Sequence, residues 1–452
     1  MIPTLAEVHA RARARLDPVT CDFIDGGAGD EAAVRENTDA FRRLALLPRV
    51  LSGAAVRDSA VTLFGDRLSM PVLVSPTAFH RLAHPEGELA TARATAAAGT
   101  VLVTGMASTV AVAEVTAAAR AVRPDAPVWF QLYPQPDEQV TAALIRRAER
   151  AGCTALVVTV DSPLLGLRVR DARNGFHDLP EGLAAENMRG LPGAPDDRPR
   201  DIAMWPALSW DDLRRLRERT DLPVVLKGVL HPDDAERAVA EGMDGVLVSN
   251  HGGRQLDAAP ATIEALPAVA AAVRGRIPVL MDGGIRRGSD AALALALGAR
   301  AVGVGRPVLW GLAAGGEAGV RHVLELLREE FDHALAMCCC GRAGDLGPGH
   351  VVVRGGVPRG GGAGDVGAAR VGARGPAPDG HAALYGDAMP YGDAMPYGDA
   401  MPYGDATFDG DTTSDGAPAP YGDAASDRDP APHEATTSVM TGETRNDHDR
   451  DT

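Results

Sequence analysis

A single lysine stands among 45 basic residues, the other 44 being arginines. A chain so committed to arginine would use arginine wherever any solvated cation served, so Lys227 marks a place that needs a compact, point-like ammonium. It stands near the end of the apolar run LPVVLKG (222–228). Two chemistries use such a lysine, electrostatic support of a developing anion and Schiff-base formation, and its position alone does not choose between them. A second candidate lies in SNHGGRQLD (249–257), where His251 and Arg254 stand three apart on a glycine-rich loop. A lone histidine is more often structural, but this one shares its loop with an arginine, and preceding runs supply Asp161 and Tyr133. A carboxylate beside His251 is expected to raise its pKa and fix its tautomer, making it a general base near neutrality. Arg254 suits bidentate recognition of a carboxylate. DGGIRRG (282–288) and GVGRP (303–307) add two glycine loops bearing Arg286 and Arg306. Such loops cradle phosphate with backbone N–H groups.

These residues need a scaffold that brings distant segments to one face. From about residue 70 to 310 a short apolar, β-branched run ending in a polar residue or glycine alternates with an Ala-rich amphipathic stretch. The runs begin at 71, 100, 127, 154, 222, 244, 277 and 300. Their continuous hydrophobicity predicts parallel strands buried on both faces. Eight such units predict an α/β fold of the closed (β/α)8 TIM-barrel type, with an open doubly wound sheet as the competitor. In a barrel the working site lies at the C-terminal strand ends, where Thr77, Gln131, Tyr133, Thr159, Asp161, Lys227, Ser249, His251, Asp282 and Arg306 collect. Helices over residues 1–55 are expected to cap one end of a barrel spanning 70–337, within a catalytic unit of residues 1–345. The polar, Pro- and Gly-rich insertion at about 171–210 reads as a lid loop.

Charge and composition exclude several functions. Of the net charge of −16, −12 falls in residues 381–452, leaving −4 for the rest, so the body is nearly balanced and nucleic acid is not an expected partner. No stretch approaches the length of a membrane span, and five cysteines without a disulfide or metal-knuckle spacing suggest a cytoplasmic protein with reduced thiols and no metal site. Residues 346–452, with YGDAMP repeats starting at Tyr385, Tyr391 and Tyr397, are expected to be disordered. A slip of reading frame after Met337 would account for the Cys-Cys-Cys-Gly-Arg run that follows it.

With these motifs in order, the chain resembles the FMN-dependent 2-hydroxy acid oxidising family of glycolate, lactate and mandelate oxidases or dehydrogenases. The resemblance covers about residues 5–337 and rests on SNHGGRQLD, HPEGELATARA (84–94), WFQLY (129–133), TVDSPLLGLRVRD (159–171), LPVVLKG and DGGIRRG. It implies that His251 is the base, paired with Asp161, and that Arg254 and Arg168 hold the substrate carboxylate while Tyr133 binds its oxygen. Lys227 would stabilise the anionic reduced flavin. Pro76, Thr77, Ala78, Gln131, Thr159 and Ser249 would line FMN, and Asp282, Gly283, Gly284, Ile285, Arg286, Gly305 and Arg306 would bind its phosphate. Three departures stand out: Phe23 replaces a carboxylate-binding tyrosine, Gly105 a flavin-contacting serine, and Ala107 or its neighbour a pocket tryptophan. Each enlarges the pocket or makes it more apolar. The resemblance therefore implies oxidation of an (S)-2-hydroxy acid bulkier than glycolate, with oxygen as acceptor giving hydrogen peroxide, and a homotetramer. Another electron acceptor, an aldolase-like lyase working through Lys227, and a non-catalytic flavin-binding protein are the alternatives.

Overall fold

The computed structural model describes residues 4–354, and the expected YGDAMP tail lies outside them. Three helices come first: α1 (Leu5–Arg13), α2 (Pro18–Asp25) and α3 (Ala32–Arg42). Local chemistry sets the starts of the first two. Thr4 and Glu7 form a reciprocal capping box on α1, and Asp17 caps α2 ahead of Pro18. Three short strands follow, β1 (Leu44–Leu46), β2 (Val61–Leu63) and β3 (Asp66–Leu68).

The eight expected runs become β4 (Val72–Val74), β5 (Leu102–Gly105), β6 (Val128–Leu132), β7 (Ala155–Thr159), β8 (Val224–Lys227), β9 (Gly245–Val248), β10 (Val279–Asp282) and β11 (Ala301–Val304). They pair in parallel in chain order, and β11 returns to β4, closing the barrel. The open-sheet alternative is thereby excluded. Every residue of these strands is buried, which is what the unbroken apolar runs require. Around them lie α4 (Gly87–Ala97), α5 (Val112–Val122), α6 (Glu138–Ala151), a short α7 (Val169–Arg173), α8 (Trp210–Arg217), α9 (Pro232–Ala240), α10 (Thr262–Val273), α11 (Gly288–Ala296) and α12 (Arg306–Met337). Helix α12 is two helices joined at Gly315 and Gly316, the latter at φ +58°, so the helix expected at 317–337 is its second half.

Two pairings were not legible in the sequence. The antiparallel hairpin β2–β3 lies at the N-terminal side of the strands, where Asp66 accepts hydrogen bonds from Trp129 Nε1 (3.1 Å) and Thr154 Oγ1 (2.8 Å). A last strand, β12 (Val351–Val353), pairs antiparallel with β1, Leu44 facing Val353. This carries the folded unit beyond the expected end at 345. It also overturns a frame slip at Met337, because the residues that follow are integral to the fold. Cys338, Cys340, Ala343 and Leu346 are buried, and Gly341 accepts a hydrogen bond from the Asp58 amide. All five cysteines are free thiols. Among the described residues no helix is long and apolar enough to cross a membrane.

Candidate active site

The C-terminal ends of the barrel strands open into a cavity of about 810 Å³. That volume suits a cofactor together with a small substrate. Of the residues singled out in the sequence, only Asp161 and Ser249 are not in its wall. Asp161 lies behind His251, and Ser249 Oγ accepts the backbone amide of His251 at 3.0 Å. Ser249 thereby helps to shape the histidine loop.

His251 sits just beyond β9 at φ +58°, a left-handed conformation that turns the chain back over the barrel mouth. Its Nδ1 lies 3.1 and 3.3 Å from the two carboxylate oxygens of Asp161, and its Nε2 lies 3.4 Å from the Tyr133 hydroxyl. Asp161 can approach because residue 228 is glycine: at φ +106°, a Cβ there would stand 2.5 Å from that of Asp161. Burial opposes the Asp161 charge, but His251 and Lys227 outweigh it and hold the carboxyl at about 2. An ionised carboxylate only accepts, so Nδ1 carries the proton and Nε2 presents a lone pair to the cavity.

The expected rise in the His251 pKa is not found. Burial and the ammonium of Lys227 lower it, and together with Arg168 they outweigh the pull of Asp161. The imidazole is therefore neutral, and ready to accept a proton, over a wider range than an ordinary histidine. If His251 is the base, its neutral form is the competent one, and kcat/KM is expected to rise with pH along a single acid limb. Its midpoint should lie below the usual 6.5. A pH profile of kcat/KM checks this, and a midpoint above 6.5 would contradict it.

Lys227 ends β8, buried in the wall of the cavity. Burial works against its charge, yet Asp282, Asp161 and Tyr133 together raise its pKa. It is thus a permanently charged ammonium, which disfavours the free amine that Schiff-base chemistry needs. Tyr133 is pushed up chiefly by burial, so its phenol keeps its proton.

Two arginines, Arg168 and Arg254, line the same cavity as His251. Nη1 of Arg254 donates to the carbonyls of Phe23 (2.7 Å) and Gly26 (2.8 Å), and its guanidinium lies 5.1 Å from the Phe23 ring centroid. Burial and the nearby Arg168 and Arg306 press the Arg254 pKa well below its ordinary value. Buried Nε of Arg168 has no partner among the described residues. Crowded cations and an orphaned buried donor are costly unless an anion completes them.

A glycine cradle forms the far wall. Gly283 and Gly284 adopt φ +99° and +84°, and a Cβ on Gly284 would stand 1.8 Å from the Asn37 carbonyl of α3. Arg286 and Arg306 flank this turn, each lowered to about 10, mainly by burial. Arg306 Nε, Nη1 and Nη2 donate to the carbonyls of Ile24, Gly252 and Gly26. Ser75 donates to Asp282 Oδ2 at 3.0 Å, while buried Asp282 Oδ1 has no partner among the described residues and can receive a ligand hydroxyl. Seven Lys and Arg side chains against four Asp line the whole cavity. Positive excess, a backbone cradle and a waiting acceptor fit a phosphorylated, hydroxyl-bearing cofactor such as FMN.

Sequence reasoning missed the aromatic part of the wall. Phe79, at φ +58°, and Phe176, just after α7, bracket Phe23 with ring centroids 6.3 and 5.1 Å away. Neither belongs to a periodic pattern, and Phe176 lies in the insertion read only as a polar lid. HPEGELATARA gains a structural meaning: buried Glu88 accepts from the amides of His80 and Thr109 and from the Thr109 hydroxyl, and His80 Nε2 lies 2.7 Å from cavity-lining Thr77 Oγ1.

The profile of the family described as FMN-dependent dehydrogenase matches residues 12–353. The chain is 45% identical over 358 residues to a peroxisomal (S)-2-hydroxy-acid oxidase of Oryza sativa subsp. japonica, covering 77% of this chain and 95% of the relative. It is 46% identical over 351 residues to an L-lactate oxidase of Nostoc sp., covering 76% and 96%. Among solved structures, mandelate oxidase with benzoyl-formic acid aligns at a TM-score of 0.70 and 44% identity, covering 76% of this chain and 96% of that one.

Proposed function

The chain belongs to the FMN-dependent dehydrogenase family, and from that premise we propose that it oxidises an (S)-2-hydroxy acid bulkier than glycolate to the 2-oxo acid. We further propose that oxygen is the electron acceptor, yielding hydrogen peroxide. The observation that carries this reading is the grouping, at one cavity, of a neutral histidine backed by an ionised aspartate, an arginine pair of which Arg168 Nε has no partner among the described residues, and a charged lysine. FMN, when bound, supplies the two-electron acceptor of the reaction.

The protein's own part is to bind, orient and move a proton. Arg168 and Arg254 take the substrate carboxylate, relieving their mutual repulsion. Tyr133, a protonated phenol, donates to the substrate oxygen. The departing substrate proton goes to Nε2 of His251, and the resulting imidazolium is stabilised by Asp161 through Nδ1. Lys227 offsets negative charge gained by the electron acceptor. The Asp282–Arg286 turn with Gly305 and Arg306 holds the cofactor phosphate, while Pro76–Ala78, Gly105, Gln131 and Thr159 line its ring.

Relatives are named for activity on (S)-2-hydroxy acids, L-lactate, glycolate and mandelate. Phe23, Phe79 and Phe176 with the small Gly105 and Ala107 favour a large apolar substituent. Accordingly, kcat/KM for (S)-mandelate and 2-hydroxyoctanoate is expected to exceed that for glycolate by about 10-fold or more. Faster turnover of glycolate in a steady-state panel would refute the size assignment. Self-association into a tetramer belongs to the same proposal, supported by the exposed side chains of Leu164, Leu165 and Leu167.

A further inference from the structure

The Arg286 guanidinium lies 5.0 Å from the centroid of the Trp310 ring. Trp310 stands one turn after Arg306 at the head of α12, only 6% exposed, and its Nε1–H donates to Asp25 Oδ1 at 2.8 Å. Asp25 is the last residue of α2. Its other oxygen lies 2.9 Å from His9 Nε2, and His9 of α1 stacks on Trp310 with ring centroids 4.1 Å apart. The carbonyls on either side of Asp25, of Ile24 and Gly26, accept from Arg306. One turn of the N-terminal segment thus fixes both arginines of the glycine cradle, Arg306 through backbone carbonyls and Arg286 through an indole.

An arginine side chain loses much rotamer freedom when it binds an anion, and a platform that restricts it beforehand removes part of that cost. An indole face is the strongest aromatic platform for a cation. Anchoring the indole by its own N–H keeps that face from rotating, and Asp25 supplies the anchor without hydrogen-bonding Arg286 itself.

We propose that Trp310, anchored by Asp25, is a positioning residue that holds Arg286 for the phosphate of FMN, so that preference for FMN over riboflavin is set partly by the N-terminal helices. This rests on the reading above that residues 282–286 hold the phosphate. Its signature is selective: only a flavin bearing phosphate feels the platform.

The test titrates the full-length apoprotein with FMN and with riboflavin, following flavin fluorescence, for the wild type, Trp310→Leu, Trp310→Phe and Arg286→Leu. Trp310→Leu and Arg286→Leu are each expected to weaken FMN binding about 10-fold or more while leaving riboflavin binding unchanged. Unchanged riboflavin binding also serves as the folding control. Trp310→Phe, which keeps a ring face and loses the N–H anchor, should fall between, and it carries the test if the leucine variant does not fold. Equal weakening of both flavins by the Trp310 variants would overturn the proposal and leave Trp310 as packing. Loss of FMN preference in Arg286→Leu but not in the Trp310 variants would remove the platform and keep the phosphate assignment. If Arg286→Leu retains full preference, the phosphate assignment fails, and the platform with it.

Discussion

Replacing His251 by asparagine is expected to give a folded, FMN-containing protein whose reduction by 2-hydroxy acids is slowed roughly 10³- to 10⁴-fold. Asparagine is the informative choice because it tolerates the φ of +58° at this position, so a loss of rate is not backbone strain. The size of the effect follows from what the imidazole does alone. Its Nε2 lone pair is the basic site that Asp161 prepares by holding the proton on Nδ1. Asp161 cannot substitute, since at about 2 it is too weak a base and it is absent from the cavity wall. Tyr133, raised by burial, is an acid at neutral pH. Anaerobic stopped-flow of flavin bleaching measures the loss, and a variant within tenfold of wild type would remove His251 from the chemistry.

The second large effect is expected at the lysine. Lys227→Met should retain FMN, since the phosphate cradle is untouched, yet reduce it about 10²- to 10³-fold more slowly. A second consequence separates an electrostatic role from a packing one. Lys227 lowers the His251 pKa, so its removal should move the acid limb of kcat/KM to higher pH than in the wild type. It also supports the charge of Asp161, so the dyad as a whole should become less acidic. A variant with slowed reduction and an unmoved pH profile would contradict the electrostatic account.

The eight strands were legible because their signal is local: unbroken apolar runs predict strands covered on both faces, whereas closure into a barrel shows only in the β11–β4 pairing. The candidate site was legible where its residues lie on one loop, as in SNHGGRQLD, or at strand ends the fold must gather, as with Lys227 and Asp282. What escaped is non-local. β1 and β12 are three residues each at opposite ends of the folded unit, too short for any period. Phe79 and Phe176 become a wall only when the segments bearing them meet at Phe23. The pKa of His251 was expected to follow its carboxylate, but burial and an ammonium from another strand decide it, and both are properties of three-dimensional placement.

The most direct test is to mix the purified protein with excess (S)-mandelate in the absence of air, follow the oxidised-flavin absorbance, and then admit air. Rapid bleaching on mixing, followed by return of the absorbance with formation of hydrogen peroxide and benzoyl-formate, is the predicted result. A flavin that stays oxidised with (S)-mandelate, 2-hydroxyoctanoate, lactate and glycolate alike would contradict the account, and borohydride trapping of a substrate on Lys227 would replace it with lyase chemistry.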